Sequence, residues 1–311
     1  MKTIIALCFA FMPLLASASA WEPGLGLRQV NIWPGKPPGG ATEKPESAGK
    51  SKSLVGGRPF TYIENVSTPT MTIYRPQKTN GTAVVVFPGG GHTILAIDIE
   101  GSEVCEWLNQ QQITCILLKY RVPMAGCYYD AKTKLHITPP VPMALQDAQR
   151  TISTIRHQAR ELGIDPKKIG VMGFSAGGNV AILSSTSFMN RSYEAIDEID
   201  LVSSRPDFVF PIFPGHTTME HKNKKPTSVA AQELNTDIVI TKEVPPQFIV
   251  HAKDDSTNPV HYSKVYFREL IKGKVNARLN LYKTGGHAFG VRTQSKDTDR
   301  WTADALVWLK E

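Results

Sequence analysis

Three residues far apart in the chain are of types that together perform nucleophilic acyl chemistry. Ser175 stands in Gly173-Phe174-Ser175-Ala176-Gly177, which fits the pattern G-x-S-x-G. An apolar run, Ile169–Phe174, enters the pentapeptide, and a helix-forming run, Ala176–Thr186, leaves it. A serine on a sharp strand-to-helix turn is held with its hydroxyl exposed, and flanking glycines leave room for the tight backbone. That hydroxyl is almost wholly protonated at neutral pH, so it needs a base. Among the eight histidines, His287 has the best setting, in Gly285-Gly286-His287-Ala288-Phe289-Gly290 after the last β-like run. His251 falls inside a strand and reads as packing, while His136, His157, His216, His221 and His261 have no comparable setting. The acid that orients the base is expected just past Gln247–Ala252, where Asp254-Asp255 lies. On spacing alone either aspartate serves.

Acyl transfer also needs preorganised donors for the oxyanion. The N–H of Ala176 is one, and Gly89-Gly90-Gly91, after the apolar run Ala83–Phe87, supplies others, with Gly90 and Gly91 favoured. A phosphate cradle is the rival use of such glycines, but the chain has neither a P-loop Lys-Ser/Thr nor G-x-G-x-x-G before a helix. No CxxC or Cys/His spacing suggests a metal, and the chemistry requires neither metal nor organic cofactor.

These groups must be positioned by a scaffold, and the hydrophobic pattern describes one. Apolar runs expected as buried strands are Ala83–Phe87, Thr114–Tyr120, Ile169–Phe174, Phe208–Phe213, Gln247–Ala252 and Ala277–Tyr282. Between them lie helical patterns at Gly101–Gln111, Leu145–Leu162, Ala176–Thr186 and Val260–Ile271, with Thr302–Leu309 closing the chain. Gly163 stands where a helix C-cap belongs. Such alternation implies an α/β fold with a mainly parallel sheet covered on both faces. Phe60–Ile63 and Met71–Tyr74 read as a leading antiparallel hairpin, and the Pro- and Gly-rich segment before them, about 21–59, as an extended arm over a single domain, 21–311. Residues 122–143 and 214–243 are long connections at strand ends that face the ligand crevice of such a sheet.

Residues 1–20 match an export signal: Lys2, the apolar stretch Ile4–Leu15 and the small residues Ala18-Ser19-Ala20. The mature chain is therefore expected to begin at Trp21 and to be secreted or periplasmic, without stable membrane association. Lys plus Arg number 35 against 28 Asp plus Glu, an excess spread along the chain that does not form a nucleic-acid site. The cluster Lys222, Lys224 and Lys225 reads as a solvated loop. Processing would leave Cys105, Cys115 and Cys127, enough for one internal disulfide at most, with Cys115 reading as a small buried hydrophobe.

Taken together, the chain resembles the α/β-hydrolases identified as acetyl-xylan or feruloyl-type carbohydrate esterases, which are close to the hormone-sensitive-lipase-like esterases. The likeness runs through Trp33-Pro34-Gly35, Phe87-Pro88-Gly89-Gly90-Gly91, Glu100-Gly101, Trp107-Leu108, Leu118-Lys119-Tyr120-Arg121 and Gly163-Ile164-Asp165-Pro166. It continues through Val171-Met172-Gly173-Phe174-Ser175-Ala176-Gly177-Gly178, Arg205-Pro206-Asp207-Phe208, Asp254-Asp255 with Pro259 and Ser263, and Gly286-His287-Ala288-Phe289-Gly290. The resemblance implies an acyl-enzyme on Ser175 with His287 as base, and it selects Asp255, four residues before Pro259, over Asp254. It implies an acylated carbohydrate or small ester as substrate, with acetyl the first choice and a general short-chain carboxylesterase or feruloyl esterase the alternative. A serine peptidase of the prolyl-oligopeptidase type shares this catalytic domain, but such enzymes usually carry a large N-terminal propeller, for which the segment before Ala83 is too short. A non-catalytic binding module is a fourth reading, which the full set of catalytic positions disfavours. Two positions depart from the pattern, His92 where a tyrosine or another aromatic residue is common and Asn179 where a histidine is frequent, and residues 122–143 look longer than usual and carry Cys127.

Overall fold

The computed structural model describes residues 20–24, 26–124, 128–130, 135–137, 140–219 and 230–311. The signal segment up to residue 19, Cys127, His221 and the lysine cluster at 222–225 lie outside the described residues. In chain order the strands are β1 (Gln29–Asn31), β2 (Ser47–Lys50), β3 (Thr61–Glu64), β4 (Thr70–Tyr74), β5 (Ala83–Phe87), β6 (Ile94–Leu95) and β7 (Thr114–Lys119). They continue with β8 (Tyr128–Asp130), β9 (Leu135–Ile137), β10 (Ile169–Phe174), β11 (Val209–Ile212), β12 (Gln247–Ala252) and β13 (Ala277–Tyr282). The α-helices are α1 (Glu103–Gln110), α2 (Pro142–His157), α3 (Ala159–Leu162), α4 (Ala176–Thr186), α5 (His261–Lys272) and α6 (Trp301–Trp308).

Eight strands form the main sheet in the order β1-β4-β7-β5-β10-β11-β12-β13. From β7 to β13 every pairing is parallel, while β1 and β4 join antiparallel at one edge. The apolar runs of β5, β7, β10, β11 and β12 are buried at every residue, because helices cover both faces of a parallel sheet. Trp107 of α1 meets Trp301 of α6, and α2 packs on α4. Among the described residues no helix is long and apolar enough to cross a membrane.

Four sequence expectations change. The leading hairpin does not form: β4 joins the main sheet, and β3 pairs with β2 and β6 in a separate three-stranded sheet. Short β-like runs carry no information about which edge they will pair with. The N-terminal segment is more than an arm, since β1 extends the main sheet and Ile32 and Trp33 are buried in the core. The helix expected from Leu145 begins at Pro142, where a proline at the first turn loses no hydrogen bond, and is interrupted at Gln158. Gly163 takes the left-handed cap, φ 67°. Cys115 is buried as expected but is bonded to Cys105, tying α1 to β7.

One buried charge cluster joins the N-terminal segment to the sheet. Arg121, after β7, points its guanidinium at both carboxylate oxygens of Asp147 on α2, with Nη2 to Oδ1 2.8 Å and Nε to Oδ2 3.0 Å. Its remaining N–H groups donate to the carbonyls of Pro38, Gly40 and Met143 and to Gln146, so the planar fork is fully used. Trp33 Nε1 donates to Asp147 as well, 2.8 Å. Removing one partner of a buried, hydrogen-bonded pair leaves an uncompensated charge, at a cost of about 3–5 kcal/mol. Asp147→Ala is therefore expected to lower the denaturant midpoint sharply, whereas an unchanged midpoint in equilibrium unfolding would show that the cluster carries no net stability.

Candidate active site

Ser175 lies at the junction of β10 and α4 with φ 51° and ψ −115°, a conformation that L-residues hold only when their surroundings impose it. The surroundings are glycines. A Cβ on Gly173 would collide with the Gly177 carbonyl, and one on Gly177 with the Phe87 carbonyl at the end of β5. With no side chains there, the first turn of α4 settles directly on the loop that follows β5.

The loop after β13 carries His287 to the same place. His287 Nε2 is 3.0 Å from Ser175 Oγ, and its Nδ1 is 2.7 Å from Asp255 Oδ2. An ionised carboxylate can only accept, so Nδ1 carries the proton and Nε2 is left to accept from the serine. The imidazole also packs on Phe213, ring centroids 4.7 Å apart. The two adjacent aspartates do different things. Asp255 is enclosed, whereas Asp254 is exposed and accepts the N–H groups of Gly286, 2.8 Å, and Gly285, 3.3 Å, holding the histidine loop from outside.

Asp255 is surrounded by donors. Its Oδ1 accepts the N–H groups of Thr257 and Asn258, both at 2.8 Å. Behind Oδ2, 3.4 Å away, lies Nε2 of the buried His251, which also donates to the Asn258 carbonyl and accepts at Nδ1 from Ser263. Burial by itself would raise the Asp255 pKa. Hydrogen bonds from His251 and His287, with their charge when protonated, outweigh it and hold the carboxyl well below the usual range. The sequence pattern reads His251 as packing only; the signal for its second role is its position four residues before Asp255 at the strand end.

The glycine loop after β5 lies against the turn that bears Ser175. Its carbonyls are tied down by the backbone N–H groups of Ala96 on Gly89 and of Thr93 and Ile94 on Gly90, and Tyr120 Oη donates to the Pro88 carbonyl, 2.6 Å. The N–H of Gly89 is committed to Glu100 Oε2, 2.8 Å. Among the described residues the N–H groups of Gly90, Gly91 and Ala176 have no protein acceptor, and these are the donors expected for an oxyanion. Asn258 Nδ2 adds a contact to Ser175 Oγ at 3.4 Å while donating to the Phe213 carbonyl. His92 and Asn179, the two departures from the family pattern, touch each other: His92 Nε2 is 3.3 Å from Asn179 Oδ1, and the His216 ring lies 5.3 Å from that of His92. Among the described residues no group of three or more His, Cys, Asp or Glu could hold a metal ion.

The two aspartates are separable by kinetics. Asp255→Asn is expected to cut kcat by about 10³–10⁴-fold, the effect of placing the imidazole in the wrong tautomer. Asp254→Asn should cost about tenfold or less, because an amide oxygen still accepts from Gly286. Equal losses in ester hydrolysis by the two variants would remove the distinction.

Residues 71–207 match the BD-FAE family, and residues 145–311 match the Prolyl oligopeptidase family. The chain is 28% identical to an acetylxylan esterase of Xylanibacter ruminicola over 77% of its own length and 48% of that protein's. It is 27% identical to endo-1,4-beta-xylanase B of Butyrivibrio fibrisolvens over 67% of its length and 32% of that protein's. The chain thus spans half or less of the length of the curated relatives it matches. Among solved structures it is similar to an acetyl ester-xyloside bifunctional hydrolase of Caldicellulosiruptor lactoaceticus, with TM-score 0.66 and 26% identity over 91% of this chain and 95% of that one. A helix-flanked, mainly parallel sheet with a G-x-S-x-G elbow at the end of β10 is the α/β-hydrolase fold. With more than half of its length matched, the chain belongs to the prolyl oligopeptidase family of α/β-hydrolases.

Proposed function

We propose that the protein is an exported serine esterase that removes small acyl groups, acetyl first, from a xylan-type polysaccharide or its oligosaccharides. The observation that carries the chemistry is the unbroken hydrogen-bonded series from Asp255 Oδ2 through His287 to Ser175 Oγ. Ser175 Oγ attacks the ester carbonyl as its proton passes to His287 Nε2, and the carbonyl electron pair moves onto oxygen, facing the N–H groups of Gly90, Gly91 and Ala176. Collapse expels the sugar oxygen, which becomes a hydroxyl by taking the proton from His287. Water, deprotonated by the same imidazole, then releases the acid and restores the serine. Asp255 stays ionised throughout and stabilises the imidazolium.

Similarity to an acetylxylan esterase and to an acetyl ester-xyloside hydrolase supports the carbohydrate ester as substrate. The Cys105–Cys115 disulfide supports export together with the N-terminal signal pattern, because such bonds persist in oxidising compartments. The match to the prolyl oligopeptidase family gives a second reading, cleavage of a peptide bond by the same serine.

One set of assays separates these. Purified protein on acetylated xylan is expected to release acetate in excess of ferulate and to leave peptide anilides uncut, and Ser175→Ala should lose at least about 10³-fold in kcat. Ferulate release in excess, or anilide cleavage faster than ester cleavage, would replace the acetyl reading. Activity retained by Ser175→Ala would remove the serine mechanism.

A further inference from the structure

Glu100 is a buried carboxyl beside the proposed nucleophile that the mechanism above does not use. It is 2% exposed and sits on a turn of π-helix, Asp98–Ser102, a geometry that accumulates at functional sites. Its Oε2 and the Ser175 Cβ lie 2.5 and 2.9 Å from the point a Cβ of Gly89 would occupy, so the carboxyl and the nucleophile face each other across that missing side chain. The loop bearing His287 rests on the same turn, since Gly290 has no Cβ to strike the Ile99 carbonyl.

Other charged groups around the turn are engaged elsewhere. On α1, Glu103 is bound to Arg292 and Arg58, and Glu106 lies in the next turn. Asp98 takes the Thr61 N–H and lies 4.0 Å from Lys50. Glu64 of β3 accepts from Ser47, and His92, on the loop after β5, contacts Asn179. Among the described residues, the charge that acts on Glu100 is that of His287.

We propose that Glu100 is a positioning residue for the acyl transfer described above, anchoring the oxyanion loop through Gly89 and serving as a second carboxylate, after Asp255, that stabilises the His287 imidazolium. The proposal rests on the serine esterase reading. Burial pushes the Glu100 pKa up to about 7, against the pull of the imidazolium and the Gly89 N–H. In its ionised form the carboxylate gains its partner when the serine proton reaches His287, and no proton leaves it during the step.

Two substitutions separate the roles. Glu100→Gln keeps an oxygen for the Gly89 N–H and removes the charge; Glu100→Asp keeps the charge and is too short to reach Gly89. Glu100→Gln is expected to lower kcat about tenfold with KM within about twofold, and to move the acid limb of kcat/KM about one pH unit lower, because the imidazolium has lost a partner. Glu100→Asp should leave that limb in place while lowering kcat. A Glu100→Gln enzyme with the parental kcat and pH profile overturns the proposal, provided Ser175→Ala is inactive; an active Ser175→Ala overturns the esterase reading instead. Should Glu100→Gln fail to fold, infrared titration of Ser175→Ala, in which Glu100 and His287 remain, decides the matter. A carboxylic acid C=O band whose midpoint moves to higher pH when His287→Ala is added supports the proposal, and an unmoved midpoint overturns it.

Discussion

The close approach of two backbones at the ends of β5 and β10 is the constraint on which the rest of the site depends. These strands are parallel neighbours, with Gly173 in register with Phe87. Where they end, α4 leaves one and the glycine loop leaves the other, and ordinary side chains would force them apart. Gly173, Gly177 and Gly89 remove the obstruction at three successive points. The first turn of α4 and the glycine loop then lie directly against each other beside Ser175. The strain of the Ser175 backbone, on the order of 1–3 kcal/mol, is offset by what lies on either side of it. Both β10 and α4 are buried along their whole lengths, so relaxing the turn would mean withdrawing a strand and a helix from the core.

The remaining groups arrive from the far half of the sheet, and the parallel order makes this possible. The ends of β11, β12 and β13 lie on the same edge as those of β5 and β10, so Phe213, Asp255 and His287 each need only a short loop to converge. These loops are held by their own backbones. Asp254 fastens the histidine loop from the solvent side, Trp301 Nε1 donates to the Gly290 carbonyl from the core side, and Asn258 bridges the acid turn to Phe213. Placement of the imidazole is therefore settled by contacts at both ends of a six-residue segment rather than by the triad hydrogen bonds themselves.

Much of this was legible in the sequence because its signals are local. Continuous apolar runs announce strands buried on both faces, and the strand–Gly-x-Ser-x-Gly–helix succession announces the elbow, so the six strands and the meeting of Ser175 with His287 could be read directly. The choice between Asp254 and Asp255 could not, because adjacent residues share every local property and differ only in which way the turn points them. The same holds for His251, Glu100 and the contact between His92 and Asn179: each depends on a partner 4 to 87 residues away whose proximity is a tertiary fact. The β3–β4 hairpin failed for a related reason. Edge strands of four or five residues pair with whatever edge the larger sheet leaves open, and here β4 found β7 while β3 found β2.

The environments of the two carboxyls near His287 push them in opposite directions, and the cause is the number of donors each receives. Asp255 is enclosed but accepts two backbone N–H groups and faces two imidazoles, so the charged form is stabilised in spite of burial. Glu100 is enclosed and accepts one N–H, so burial prevails and its proton is retained to near neutrality. A permanently ionised group suits the task of fixing a tautomer, because the hydrogen bond to Nδ1 must exist before substrate arrives. A group with a raised pKa contributes in its ionised form alone, and either carboxylate, once ionised, interacts more strongly with the ring as the imidazolium forms. Interactions of that kind favour the charge-separated state over the resting one, which is the condition for lowering the barrier to attack.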